Sequence, residues 1–89
     1  MVPSFGEVSI LYFAKSAELT GVKAEEIPAP TPLSSQQLWG LLLQRHPRLS
    51  VLQGQVVLAV RQQYIAIDDQ PVTLGDGDEV AVVPPLSGG

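Results

Sequence analysis

The chain has 89 residues, 45% hydrophobic and 16% charged, with nine acidic and five basic residues and a net charge of −4; this is the composition of one globular domain with a modest core. Its basic residues, Lys15, Lys23, Arg45, Arg48 and Arg61, are scattered, so no basic stripe is available for phosphates, and no nucleic-acid partner is expected. The absence of cysteine rules out disulfides, thiolate catalysis and cysteine-ligated metals, and an acidic domain suits a partner with a basic surface.

The opening Met1-Val2-Pro3-Ser4-Phe5-Gly6-Glu7 has neither a basic segment nor a long apolar run, and no stretch reaches transmembrane length. A soluble cytosolic protein with no membrane partner is therefore expected. Glu7 to Phe13 predicts a strand with Val8, Ile10 and Tyr12 toward the core and Ser9, Leu11 and Phe13 on the other face, leaving Phe13 as an exposed aromatic. Ala14 to Leu19 predicts a short helix ending at Thr20-Gly21, with Gly21 as a left-handed cap. Val22 to Ile27 predicts an edge strand with Glu25-Glu26 as its solvated margin, and Pro28, Pro30 and Pro32 a stiff extended link.

Ser34 and Gln37 fit a capping box that opens the main helix. Leu38, Leu41, Leu42 and Arg45 recur at helical spacing, Trp39 and Leu43 widen the apolar stripe, and Gly40 is its weak point. Pro47 stops the helix near Arg45-His46, where His46 suits the negative end of the helix dipole; as the only histidine it leaves little for a catalytic triad. Leu49, Val51 and Leu52 are expected to fold back onto the core. Gln55 to Val60 is apolar and β-branched, which predicts a central strand buried on both faces. Arg61-Gln62-Gln63 turns the chain, Tyr64 to Ile67 is a short strand, and Asp68-Asp69-Gln70 is a further turn. Gly75-Asp76-Gly77-Asp78 is a strong turn signal after Leu74; Asp76, Asp78 and Glu79 read as a solvated turn, not as metal ligands.

Glu79 to Val83 alternates, with Val80 and Val82 inward and Glu79, Ala81 and Val83 outward. It runs into Pro84-Pro85-Leu86-Ser87-Gly88-Gly89. Two prolines favour an extended exit and two glycines allow close backbone approach. Fully extended, the tail would reach roughly 20 Å beyond Val83. By composition alone it reads equally as a frayed end or as a probe that threads a channel in another protein. The division is a domain over residues 1–83 and a tail over 84–89. The element order predicts an α+β fold, one mixed β-sheet packed on one main helix.

Together, Leu11-Tyr12-Phe13-Ala14, Thr20-Gly21, Arg45-His46-Pro47, Ala59-Val60-Arg61-Gln62 and the block from Gly77 to Gly89 resemble the small, sulfur-carrier subunits of molybdopterin synthase, ubiquitin-like β-grasp proteins. The resemblance spans the chain, and its strongest motif is Gly-Asp-Glu-Val running on to Pro-Pro and Gly-Gly.

The resemblance implies that the carboxylate of Gly89 is the working group, with Gly88 beside it. An adenylyltransferase similar to the ubiquitin-activating class would convert it to an acyl-adenylate with ATP, and a persulfide sulfur would replace adenylate to give a thiocarboxylate. The tail would enter the large subunit of the synthase and pass sulfur to cyclic pyranopterin monophosphate, two transfers building the molybdopterin dithiolene. It implies no bound cofactor or metal, and a heterotetramer of two small and two large subunits. Phe13, Tyr64 and Val83 match the family's apolar docking positions, and Pro84, Pro85, Leu86 and Ser87 belong to the inserted tail. Two other readings stand beside this one. One is a related carrier serving tRNA thiolation, thiamine synthesis or protein conjugation; the other is a β-grasp binding module that uses only its sheet face.

Overall fold

Side chains alternate along β1 (Phe5–Tyr12): Val8, Ile10 and Tyr12 are buried, while Phe5 and Glu7 are exposed. A strand with one such face needs a layer on that side only, and the helix supplies it. The computed structural model describes residues 5–61, 63–66 and 73–84. A short helix α1 (Lys15–Thr20) ends on Gly21, whose φ of 81° is the left-handed cap read from the sequence. It leads to β2 (Ala24–Pro30), the edge strand, paired antiparallel with β1.

Pro28 and Pro30 are part of β2, opposite Glu7 and Phe5, and not a link beyond it. Alternate residues of an edge strand turn their N–H to the free side, so prolines two apart fit there without breaking the ladder. They also close that edge to further pairing.

The two-residue strand β3 (Leu33–Ser34) precedes the main helix α2 (Ser35–Arg45). The capping box is complete: Ser34 Oγ accepts from the Gln37 N–H at 3.1 Å, and Gln37 Oε1 accepts from the Ser34 N–H at 2.8 Å. Leu38, Trp39 and Leu42 are buried; Leu41 and Leu43 lie at the margin of the core. After Pro47 the chain forms a 3₁₀ helix (Pro47–Leu52) that buries Leu49 and Leu52. With three residues per turn those two share a face, and Val51, expected in the core, points away and is exposed.

The hairpin β4 (Val57–Val60) and β5 (Gln63–Ala66) turns at Arg61, which has a φ of 50°. β6 (Thr73–Leu74) pairs with β3, a contact with no sequence signal, and β7 (Glu79–Val83) closes the fold. The strand order is β2-β1-β7-β4-β5, with β1 and β7 parallel and the other neighbours antiparallel. This is the mixed sheet packed on one helix that the sequence predicts. The central strand, however, is β7, not β4. Leu58 and Val60 are buried but Val57 and Ala59 only partly, because among the described residues no element covers the second face of the sheet. The apolar run of β4 therefore lies half in the core and half on an open surface.

The Gly75–Asp78 turn is bound to the start of β1 rather than freely solvated. Asp76 Oδ1 accepts from the Glu7 N–H at 2.8 Å, and the Gly77 N–H donates to the Glu7 carbonyl at 2.9 Å. Asp78 Oδ2 accepts from the Gly75 N–H at 2.8 Å and from Arg61 Nη2 at 2.6 Å, tying the β4–β5 turn to the same place.

Candidate functional site

Registers across the sheet decide which side chains share its open face. Leu11 lies opposite Ala81, Ala81 opposite Ala59, and Ala59 opposite Tyr64. The next row places Val83 opposite Val57. Phe13 continues it: the Ser9 N–H donates to the Asp78 carbonyl at 3.0 Å, and the Phe13 N–H donates to the Val82 carbonyl at 3.3 Å in the same pattern. The three residues singled out from the sequence, Phe13, Tyr64 and Val83, therefore stand on one surface. Phe13 is 48% exposed, Tyr64 is 74% exposed and Val83 is half-buried. At the usual strand spacing Phe13 and Tyr64 are about 15 Å apart.

What the sequence reading missed is the part of the floor between them that β4 supplies, Val57 and Ala59. Leu11, Val57, Ala59 and Ala81 are all partly exposed, and the small alanines leave a shallow apolar surface between two aromatic margins. The signal was present in the alternation of β4 and β7, where the second face is apolar too. A contiguous, partly exposed apolar surface of this kind is a candidate interaction site.

One row toward the start of β1 the face turns acidic. Glu26 lies opposite Ser9 and Ser9 opposite Glu79, with Glu7 beyond. Short Ser9 leaves a hollow of about 320 Å³ between the two glutamates. The carboxyl of Glu7 is pushed up by Glu26, which favours a protonated Glu7 as hydrogen-bond donor and repels its charge, then by slight desolvation and the charge of Asp76. The open face is thus apolar where β7 ends and anionic at the other end.

β7 delivers the chain to Pro84 at the apolar end. Pro84, the first residue of the tail, is buried, so the tail begins within the fold. Pro85, Leu86, Ser87, Gly88 and Gly89 lie outside the described residues, as do Ile67 and the turn expected at Asp68-Asp69-Gln70.

Glu25 and His46 belong elsewhere. Glu25 is not a solvated edge residue: Tyr12 Oη donates to its Oε2 at 2.6 Å, His46 Nε2 lies 2.6 Å from the same oxygen, and Arg45 Nη2 donates to Oε1 at 3.1 Å. Tyr12 and His46 rings also meet edge to face at 5.7 Å. This network fastens the end of α2 to β1 and β2. Burial, then the bond to Glu25, push the Tyr12 phenol far up. His46, the one imidazole, is committed to this contact. Among the described residues no cluster of histidine and carboxylate side chains could hold a metal ion, and no helix is long and apolar enough to cross a membrane. The described face is suited to docking; it offers no nucleophile paired with a base.

Comparison with known proteins fits this arrangement. The family model described as the ThiS family matches residues 10–89. The human molybdopterin synthase sulfur carrier subunit is 49% identical, with both chains covered completely. A solved structure of a putative molybdopterin converting factor, subunit 1, from Pyrococcus furiosus is 30% identical over 91% of this chain and 99% of its own, with a TM-score of 0.72. A Helicobacter pylori complex of subunits 1 and 2 of molybdopterin-converting factor contains a chain of the same fold, at 21% identity over 93% of this chain and 99% of its own, with a TM-score of 0.61.

Proposed function

The chain belongs to the ThiS family, and from that premise we propose that it is the sulfur-carrier subunit of a molybdopterin synthase. The observation that carries the reading is the end-to-end match at 49% identity to a protein of that name, which takes in the Gly88-Gly89 ending. The Gly89 carboxylate is activated as an acyl-adenylate by an ATP-consuming adenylyltransferase with release of pyrophosphate; the terminal sulfur of a persulfide then displaces AMP, and a thiol cleaves the acyl disulfide, leaving the thiocarboxylate and a disulfide. A carboxylate oxygen is a poor leaving group, and adenylate supplies a better one. Without cysteine, the chain has no side-chain thiol to carry the sulfur.

The partner is a large synthase subunit, in a complex of two small and two large subunits, and it holds the site where cyclic pyranopterin monophosphate receives sulfur. The small subunit donates the sulfur and does not catalyse the reaction by itself. Docking uses the open face, with Phe13, Tyr64 and Val83 meeting the partner and Pro84 to Ser87 leading Gly88 and Gly89 into its site. An apolar centre beside an acidic margin supports this use, because the first contributes affinity and the second steers a basic surface. ATP-dependent activation fits a cytosolic setting. Removing Gly89, or adding residues after it, should abolish molybdopterin formation by the reconstituted synthase while leaving the circular dichroism spectrum unchanged. Undiminished product from the Gly89-deleted chain would refute the reading.

A further inference from the structure

Ala14, between β1 and α1, has φ 51° and ψ −125°. Those are the dihedrals of the first central residue of a type II′ turn, a position that belongs to glycine. The turn is closed by the Ser16 N–H, which donates to the Phe13 carbonyl at 3.1 Å. A methyl-bearing residue persists in this conformation only when its surroundings over-determine it.

Backbone bonds from Ala17 and Glu18 to the Ala14 carbonyl and from Phe13 to Val82 contribute, and one hydroxyl joins them. Ser16 is fully buried. Its Oγ accepts from the Phe13 N–H at 3.0 Å, and its O–H lies between the carbonyls of Phe13, at 2.6 Å, and Val82, at 3.1 Å. Both backbone polar groups of Phe13 are therefore held by the side chain that also reaches the end of β7. The Phe13–Ala14 peptide is the one that would rotate if Ala14 relaxed to negative φ, and its carbonyl is the group that Ser16 grips most closely.

We propose that Ser16 is a positioning residue for docking: its hydroxyl holds Ala14 in the left-handed turn and so fixes Phe13 beside the point where the tail leaves β7. The role rests on the reading above that Phe13 meets the large subunit. Ser16 itself touches neither the partner nor the transferred sulfur.

The test measures binding of the large subunit by calorimetry, below the unfolding midpoint of each variant. Phe13→Ala and Ser16→Ala should each raise the dissociation constant about tenfold, the scale of one buried hydrogen bond or one modest interface contact. Adding Ala14→Gly to Ser16→Ala should restore most of the loss, because glycine adopts the turn unaided. A purely structural hydroxyl would give no such rescue, and docking that stays weak in the double variant overturns the proposal. Normal docking by folded Ser16→Ala, with Phe13→Ala impaired, overturns it as well. Normal docking by Phe13→Ala removes the docking-face reading itself, and the role of Ser16 with it. If Ser16→Ala does not fold alone, the double variant decides: near-normal docking supports the proposal and a tenfold loss overturns it.

Discussion

Glu25 Oε2 and His46 Nε2 stand 2.6 Å apart, although 21 residues separate them in the chain. The contact joins the edge strand to the end of the main helix, and Tyr12 and Arg45 share the same carboxylate. Glu25 is thus a fastener for the layer that carries the open face, its carboxylate engaged with Tyr12, Arg45 and His46.

Partial burial pushes the Glu25 carboxyl up, but hydrogen bonds from Tyr12, His46 and Arg45 together outweigh it and hold the group below its ordinary value of 4.5. A carboxyl depressed in the folded state contributes stability that is present above its unfolded value and lost as pH falls through the folded one. Glu25→Ala should therefore destabilise the protein near neutral pH by about 2 kcal/mol, since it leaves a buried phenol and an imidazole without their acceptor. The difference in unfolding midpoint from the unmodified protein should shrink as pH drops below 4.5. Thermal unfolding followed across that range checks both points, and a pH-independent difference would count against the network.

Two glycines should respond to alanine with opposite signs. A Cβ on Gly6 would lie 2.6 Å from Asp76 Cβ and 2.9 Å from Asp76 Cα, so the Gly75–Asp78 turn could not keep its seat on β1. Forcing it away should cost about 1–3 kcal/mol. Gly40, inside α2, meets nothing within 4 Å. There Gly40→Ala should gain up to about 1 kcal/mol from helix propensity alone. Urea denaturation of the two variants measures both, and a stabilised Gly6→Ala would show that the turn is not packed as described.

Local chemistry explains which of these features could be read in advance. The Ser34–Gln37 box, the Gly21 cap and the inward faces of β1 and β7 depend on residues a few positions apart, and the sequence displays them directly. The β3–β6 pairing, the Glu25–His46 contact and the seat of Asp76 on β1 join distant segments, and nothing local encodes them. Val51 was misplaced because a 3₁₀ helix has three residues per turn and its apolar positions fall differently. The error over β4 has a structural cause. An apolar run usually signals burial on both sides, but Val57 and Ala59 belong to a face left open. Phe13, Ala81 and Val83 could be assigned to that face from alternation; Ala59, inside the continuous apolar run of β4, could not be distinguished from a core residue.

The acidic margin of the open face carries its own pH signature. The carboxylate of Glu26 accepts a hydrogen bond from the protonated form of Glu7, and that preference, followed by the charge of Glu26, raises the Glu7 carboxyl above its ordinary 4.5. For a group raised in the folded state, the favourable contribution is complete below the unfolded value and disappears as pH rises through the folded one. At neutral pH the two carboxylates repel. Glu26→Gln removes one charge while its amide can still donate to Glu7, so the variant should unfold at a higher temperature than the unmodified chain at about pH 7 and at nearly the same temperature at about pH 4. The same substitution thins the anionic margin beside the apolar floor. Association with the large subunit should therefore slow, and its rate should depend less steeply on salt. Melting at the two pH values, paired with stopped-flow association at low and high salt, separates the effects. A lower melting temperature near neutral pH would sink the repulsion, and an unchanged association rate would detach the acidic row from docking.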